Sequence, residues 1–259
     1  MIPLAYGTSP EIFVRSSYGG YFAISNFAVL LALMAVEQRR SNSRHGWWIN
    51  CFLCGGFLAL VNHKLVLLPV AMVVWELFCR AGKQISGRPA GALLHPAAVG
   101  FAAGTALFWL WGLAIDPADF WQDHLRTHYL DRLLHHNPLG YGGYPSVAGL
   151  WIEFFKHTGY VLLPMGVAAL VLLQKRYWDP SSPDESRQTV GLWLVWTLLT
   201  AAAFSLVDWR QTKHLMPLML VFYLAPARWA AHHRSRLWLV AAVFLVLTAW
   251  NLWALQGLA

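Results

Sequence analysis

Charge is scarce in this sequence: 12% of its 259 residues are Asp, Glu, Lys or Arg, where a soluble domain carries about a quarter. Apolar side chains fill the deficit, at 58% of the total. A water-soluble fold of this length leaves roughly a quarter of its unfolded surface exposed, and too few polar residues exist here to cover it. The excess apolar surface calls for lipid. Cysteine is equally sparse, and three residues are an odd number for a disulfide framework. Cys51 and Cys54 form a Cys-x-x-Cys pair with no second pair and no flanking histidine. They read as small core residues ahead of a metal or redox centre, as does Cys79. A basic stripe is missing too: the net charge of +7 comes from cations scattered singly, which speaks against nucleic acid and for membrane topology. No secretory signal pattern opens the chain, because Pro3, Pro10, Glu11 and Arg15 interrupt residues 1–18. No internal repeat or low-complexity tract divides it, so residues 1–259 read as a single transmembrane domain.

What is present is apolar and aromatic. Fifteen Trp and nine Tyr suit a chain whose ends of helices meet lipid headgroups. Eight stretches approach the length needed to cross the hydrocarbon, about 20 residues with about 17 tolerated. They are Gly19 to Val36, Trp47 to Val61, Leu65 to Cys79, Leu93 to Ile115, Thr158 to Leu173, Val190 to Val207, Leu215 to Ala231 and Leu237 to Leu255. The second and third are short, but as one helix they would run about 50 Å at 1.5 Å per residue. A tight hairpin turning at Asn62-His63-Lys64 fits better. The fold class expected is therefore all-α and polytopic.

Alternation of eight spans sorts the cations into two sets. Arg39, Arg40, Arg44, Arg80, Lys83, Arg88, Lys175, Arg176, Arg187, Arg228, Arg234 and Arg236 fall on one side. Arg15, Lys64, Arg126, Arg132, Lys156, Arg210 and Lys213 fall on the other. The richer side is cytoplasmic by the positive-inside rule, which places both termini outside, in a bacterial inner membrane. Seven of the 11 histidines and seven of the 12 carboxylates then lie on the outer side, so polar chemistry belongs there. The long outer loop, residues 116–157, contains a segment from Phe120 to Leu134 whose apolar residues recur at helical spacing. It reads as an amphipathic helix in the interface plane, followed by a turn-rich loop over residues 137–145.

Three clusters invite a chemical reading. His124 and His128 share a helix face at zinc-ligand spacing, but Leu125 stands where a metalloprotease has Glu, and a solvated helix accounts for the pair. Glu76 lies inside an apolar run and pairs with Arg80 at i+4. The most specific cluster is Asp208-Trp209-Arg210-Gln211-Thr212-Lys213-His214, ahead of a span opening with Leu215-Met216-Pro217. Cations at a helix N-terminus make a phosphate site, against the plainer reading of side chains snorkelling to headgroups. Lys64 and Arg15 lie on the same side and are candidates for the same anion.

The order Gly55-Gly56, Asn62-His63-Lys64, Leu67-Leu68-Pro69, Gly159-Tyr160-Val161-Leu162-Leu163-Pro164, Phe204-Ser205-Leu206 and Lys213-His214-Leu215-Met216-Pro217 resembles the membrane region of GT-C glycosyltransferases. The likeness is to the protein O-mannosyltransferase and aminoarabinose transferase type. It implies a polyprenyl-phosphate sugar as donor at the outer face, with Lys213, His214, Arg210, Lys64 and Arg15 around the lipid phosphate, and no cofactor. The same resemblance implies that the chain begins after the family's acidic catalytic region, since Ser9-Pro10-Glu11 does not match the acidic motif. Asp116, Asp119, Asp123 and Glu153 are the reserve candidates for a base. The alternative is a non-enzymatic subunit of a larger membrane assembly, its Trp-rich spans packed against partner helices.

Overall fold

Long apolar runs with few breakers become helices wherever the backbone can satisfy its own hydrogen bonds. In the computed structural model, which describes residues 22–38, 43–81, 89–122, 126, 145–157, 160–177, 184–206 and 212–256, the eight apolar stretches are eight helices. They are α1 (Phe22–Glu37), α2 (Arg44–Val61), α3 (Leu67–Ala81), α4 (Pro96–Ile115), α6 (Leu162–Tyr177), α7 (Asp184–Leu206), α8 (Met216–His232) and α9 (Leu237–Gln256). A ninth, α5 (Val147–His157), lies in the long loop between α4 and α6. The described residues contain no strand, so the expected all-α class holds. Two segments, Pro96–Ile115 and Thr189–Leu206 within α7, are long and apolar enough to cross a membrane on their own.

Chain reversals follow the local chemistry. Asn62 adopts an extended backbone (φ −166°, ψ 112°), which stops α2, and its side chain accepts a hydrogen bond from the Lys64 amide at 3.1 Å. A 3-10 turn, His63–Val66, then feeds α3. The expected reversal between α2 and α3 is visible at both ends of α4. His63, after α2, lies 4.7 Å from the ring of Phe108 near the end of α4, and Trp47, at the start of α2, lies 5.7 Å from His95 at the start of α4. Helices α2 and α4 therefore run in the same direction, and α3 between them runs back.

Their close packing rests on glycine. A Cβ on Gly55 would lie 2.0 Å from the Ala97 carbonyl oxygen, and one on Gly100 would lie 2.0 Å from that of Phe52. Backbones approaching this nearly tolerate no side chain, and the gain is dispersion over a long seam. On the other side of the bundle, α6 packs on α8 with Gly166 against Phe222.

The ends of the helices sort into two groups. At one end Arg228 Nη1, late in α8, bonds Glu37 Oε1 at the close of α1 (2.9 Å) and lies 5.6 Å over the ring of Trp193 early in α7. At the same end Arg80 pairs with Glu76 at the close of α3. The start of α1, the turn between α2 and α3, the close of α7 and the start of α8 meet at the opposite end. Helices that follow one another in the chain and run back along each other give this grouping.

In the outer-loop segment expected as an interfacial helix, helical backbone covers Pro117–Asp119 and continues through Phe120 to Gln122. His124, His128 and most of the remaining residues to Leu134 lie outside the described residues, as does the turn-rich stretch 137–144. Sequence patterning did not anticipate α5. Ser146 caps it by accepting from the Gly149 amide at 3.0 Å, and Leu150 and Phe154, one turn apart, are buried, with Phe154 6.3 Å from Phe222 on α8. Tyr160, with φ 61°, makes the sharp turn into α6.

Candidate functional site: a cleft where helix ends meet

The cleft lies where the start of α1, the α2–α3 turn, the second half of α7 and the entry to α8 come together. Its lining includes Ser25 and Asn26 from the first turns of α1, Asn62 and Lys64 from the α2–α3 turn, Trp196, Thr200 and Phe204 from α7, and His214 and Pro217 at the entry to α8. Along α7 these residues stand four apart, so they form one stripe facing the cleft. His214 is buried, and its imidazole stacks on Phe204 with centroids 5.1 Å apart and planes 20° from parallel. That contact fixes the ring at the mouth of a helix.

Helix polarity adds to the cations. Leu67 opens α3 and Pro217 sits in the first turn of α8, and both line the cleft, so two helix N-termini are directed to it. The capping position of α8 is Leu215, which makes no side-chain cap hydrogen bond. Pro217 has no N–H and the Leu218 amide donates to the Leu215 carbonyl at 2.9 Å, so α8 favours a negative group through its dipole. Helix α5 packs beside the 3-10 turn Thr212–His214 and against α7, where Trp151 Nε1 donates to Ser205 Oγ at 2.9 Å. It braces the segment that carries His214.

Of the residues picked from sequence, Lys64 and His214 come together at this cleft although one precedes α3 and the other precedes α8. Lys213 shares the 3-10 turn with His214 by its backbone position, and Arg15 and Arg210 lie outside the described residues. Sequence reasoning missed Ser25, Asn26, Trp196 and Thr200. The four-residue spacing of Trp196, Thr200 and Phe204 was the one signal present, and inside an apolar run it does not distinguish a cleft from a lipid face.

Among the described residues lining the cleft none is a carboxylate. Asp116 instead caps the turn after α4, accepting from the Asp119 amide at 3.1 Å, and Glu153 pairs with Lys156 at 2.6 Å on α5. Asp123 lies outside the described residues. Glu76 does form the ion pair expected with Arg80, but at the opposite end of the bundle. His95, which the sequence did not single out, stands 3.6 Å from its second oxygen. Cys51 and Cys79 are buried, Cys51 within the apolar core, and Cys54 is half-buried.

Together these features define an all-helical bundle with a cationic, hydroxyl-bearing cleft at one end. No protein-family model, no curated protein and no solved structure matches the chain.

Proposed function

We propose that this chain is an integral membrane protein of eight spans, α1 to α4 and α6 to α9, which binds the phosphate of a polyprenyl-phosphate-linked sugar in the cleft at its outer face. The observation that carries the reading is the meeting of Lys64 and His214, far apart in the chain, at one cleft with two helix N-termini. An ammonium and an imidazole at the entries of two helices form a donor set that a phosphate group takes. The resemblance of the turn residues to those of GT-C glycosyltransferases supports a lipid-linked donor over a free ion. A carboxylate to take the acceptor's proton is not among the described cleft residues, so the proposal is donor binding, with transfer depending on a base supplied from elsewhere.

A lipid setting is supported by the surface. Leu110, Trp111 and Ile115 on α4, Phe78 on α3 and Trp238 and Val246 on α9 are each more than 60% exposed, a distribution that water does not tolerate over so many helices. The segregation of helix ends supports alternation. The end carrying Arg80, Arg228 and Arg236 belongs to the cation-rich, cytoplasmic side, and the cleft to the outer side of a bacterial inner membrane with both termini.

Two experiments test this. Single cysteines at positions 39, 175 and 234, in a background lacking Cys51, Cys54 and Cys79, are expected to be shielded from an impermeant thiol reagent in intact cells. One at 64 or 213 is expected to react. Labelling of 39 and 175 from opposite sides would end the eight-span reading. For the site, Lys64→Ala is expected to lower binding of a polyprenyl phosphate to the chain in nanodiscs by at least about tenfold, the scale of one lost charge-assisted hydrogen bond. His214→Ala acts in the same direction. Binding indifferent to both variants would remove the cleft as the phosphate site. A stable stoichiometric membrane complex without lipid-phosphate binding would favour the accessory-subunit alternative.

A further inference from the structure

Ser25 and Thr200 belong to two different helices and both line the cleft. They are 2% and 3% exposed, and neither hydroxyl oxygen has a hydrogen-bond partner among the described residues. A hydroxyl in a helix can give its proton to the carbonyl one turn back. Thr248 in α9 does this, its Oγ1 donating to the Phe244 carbonyl at 2.7 Å. A buried donor without an acceptor is costly, and a native structure retains one where a ligand or ordered water repays the cost. Thr105 and Thr197 also leave their hydroxyl oxygens without a partner among the described residues, and of the four, Ser25 and Thr200 are the two that stand in the cleft that also holds Lys64 and His214.

We infer that Ser25 and Thr200 are the neutral donors of this site, each hydrogen-bonding an oxygen of a tetrahedral oxyanion whose charge is met by Lys64. The inference rests on the phosphate-binding reading of the cleft and adds to it the residues that set the ligand's shape. A cation alone attracts any anion. Donors fixed on separate helices select one whose oxygens diverge in three dimensions, so a phosphate group is preferred to a planar carboxylate of the same charge. Asn26, 7% exposed and adjacent to Ser25, extends the polar floor. The hydroxyls position the ligand and undergo no covalent change.

The test uses the full chain in nanodiscs, with a polyprenyl phosphate, inorganic phosphate and acetate as three probes. Ser25→Ala and Thr200→Val each remove a hydroxyl with little change of volume. Each is expected to weaken phosphate binding about tenfold while leaving acetate binding within about twofold, and Thr200→Ser to retain the parent affinity. A thermal midpoint close to the parent's accompanies each variant, which separates lost recognition from lost fold. Where Thr200→Val fails to fold, Thr200→Ser and Ser25→Ala carry the comparison. Tighter binding of the lipid probe than of inorganic phosphate identifies a lipid headgroup as the source. Equal binding identifies a free anion, and either result supports the assignment if the hydroxyl variants lose it. Phosphate binding that survives both hydroxyl variants but not Lys64→Ala overturns this inference and leaves the site standing. A parent protein that binds neither phosphate probe overturns both.

Discussion

Gly100→Val will loosen the bundle at the seam between α2 and α4. The added Cβ would sit 2.0 Å from the Phe52 carbonyl oxygen and 2.8 Å from its carbon, so the obstacle is backbone and no side-chain rotation relieves it. The helices α2 and α4 must part, and the loss extends along their shared seam. Overpacking of this kind costs about 1–3 kcal/mol and more where the neighbours cannot shift. Gly55→Val is expected to act alike through the Ala97 carbonyl. Gly56→Ala is the control: its Cβ would lie 3.5 Å from the Gly100 carbonyl oxygen, an ordinary contact, and alanine favours a helix over glycine by about 1 kcal/mol. Thermal unfolding of the three variants in one detergent, followed by tryptophan fluorescence, should order them with Gly56→Ala near the parent and the other two well below it. Equal midpoints would mean that the seam is not close-packed. The damage should also reach the cleft, because Asn62 and Lys64 sit on the turn that α2 delivers.

That seam was only partly legible in the sequence. Gly55-Gly56 and Gly100 stand out as small residues in apolar runs, but nothing in the string says that they face each other. The eight helices were legible because long apolar runs with few breakers satisfy their own backbone hydrogen bonds as helices, and most of their ends fall close to those expected, although α7 opens at Asp184, ahead of Val190. Helix α5 was not, although its eleven residues carry an amphipathic pattern, because they are too few for a span and follow a turn-rich stretch. Its order comes from tertiary contacts, Phe154 against α8 and Trp151 on Ser205. In the cleft the charged members were visible, since Lys64 and His214 interrupt greasy sequence at helix ends. The hydroxyls were not. Ser25 and Thr200 read the same whether they turn to lipid, to a neighbouring carbonyl or to a ligand. A similar limit applies at the other end of the bundle, where Arg80 was foreseeable as the i+4 partner of Glu76, while His95 arrives from another helix.

Glu76→Ala should be the most damaging change at that other end. The carboxylate is 5% exposed, and it bonds Arg80 Nε at 2.9 Å through one oxygen and faces His95 Nε2 at 3.6 Å with the other. His95 is held in this orientation because its Nδ1 accepts from the Ala97 amide at 3.2 Å, capping α4, so the proton resides on the nitrogen that faces Glu76. The guanidinium is hemmed in as well, with Nη1 2.8 Å from where a Cβ on Gly91 would stand. Removing the carboxylate leaves a largely desolvated cation confronting an imidazole N–H. Breaking a buried pair from one side costs about 3–5 kcal/mol. Removing both charges is far milder, so Glu76→Gln with Arg80→Met should recover most of the loss. The difference between the summed singles and the double gives the coupling directly. Thermal midpoints of the parent, both singles and the double provide that cycle, and 1 M salt should leave the coupling nearly intact because the pair is shielded from solvent. Single variants as stable as the parent would show instead that water reaches Arg80 freely, and the cluster would then not be what joins the close of α3 to the start of α4.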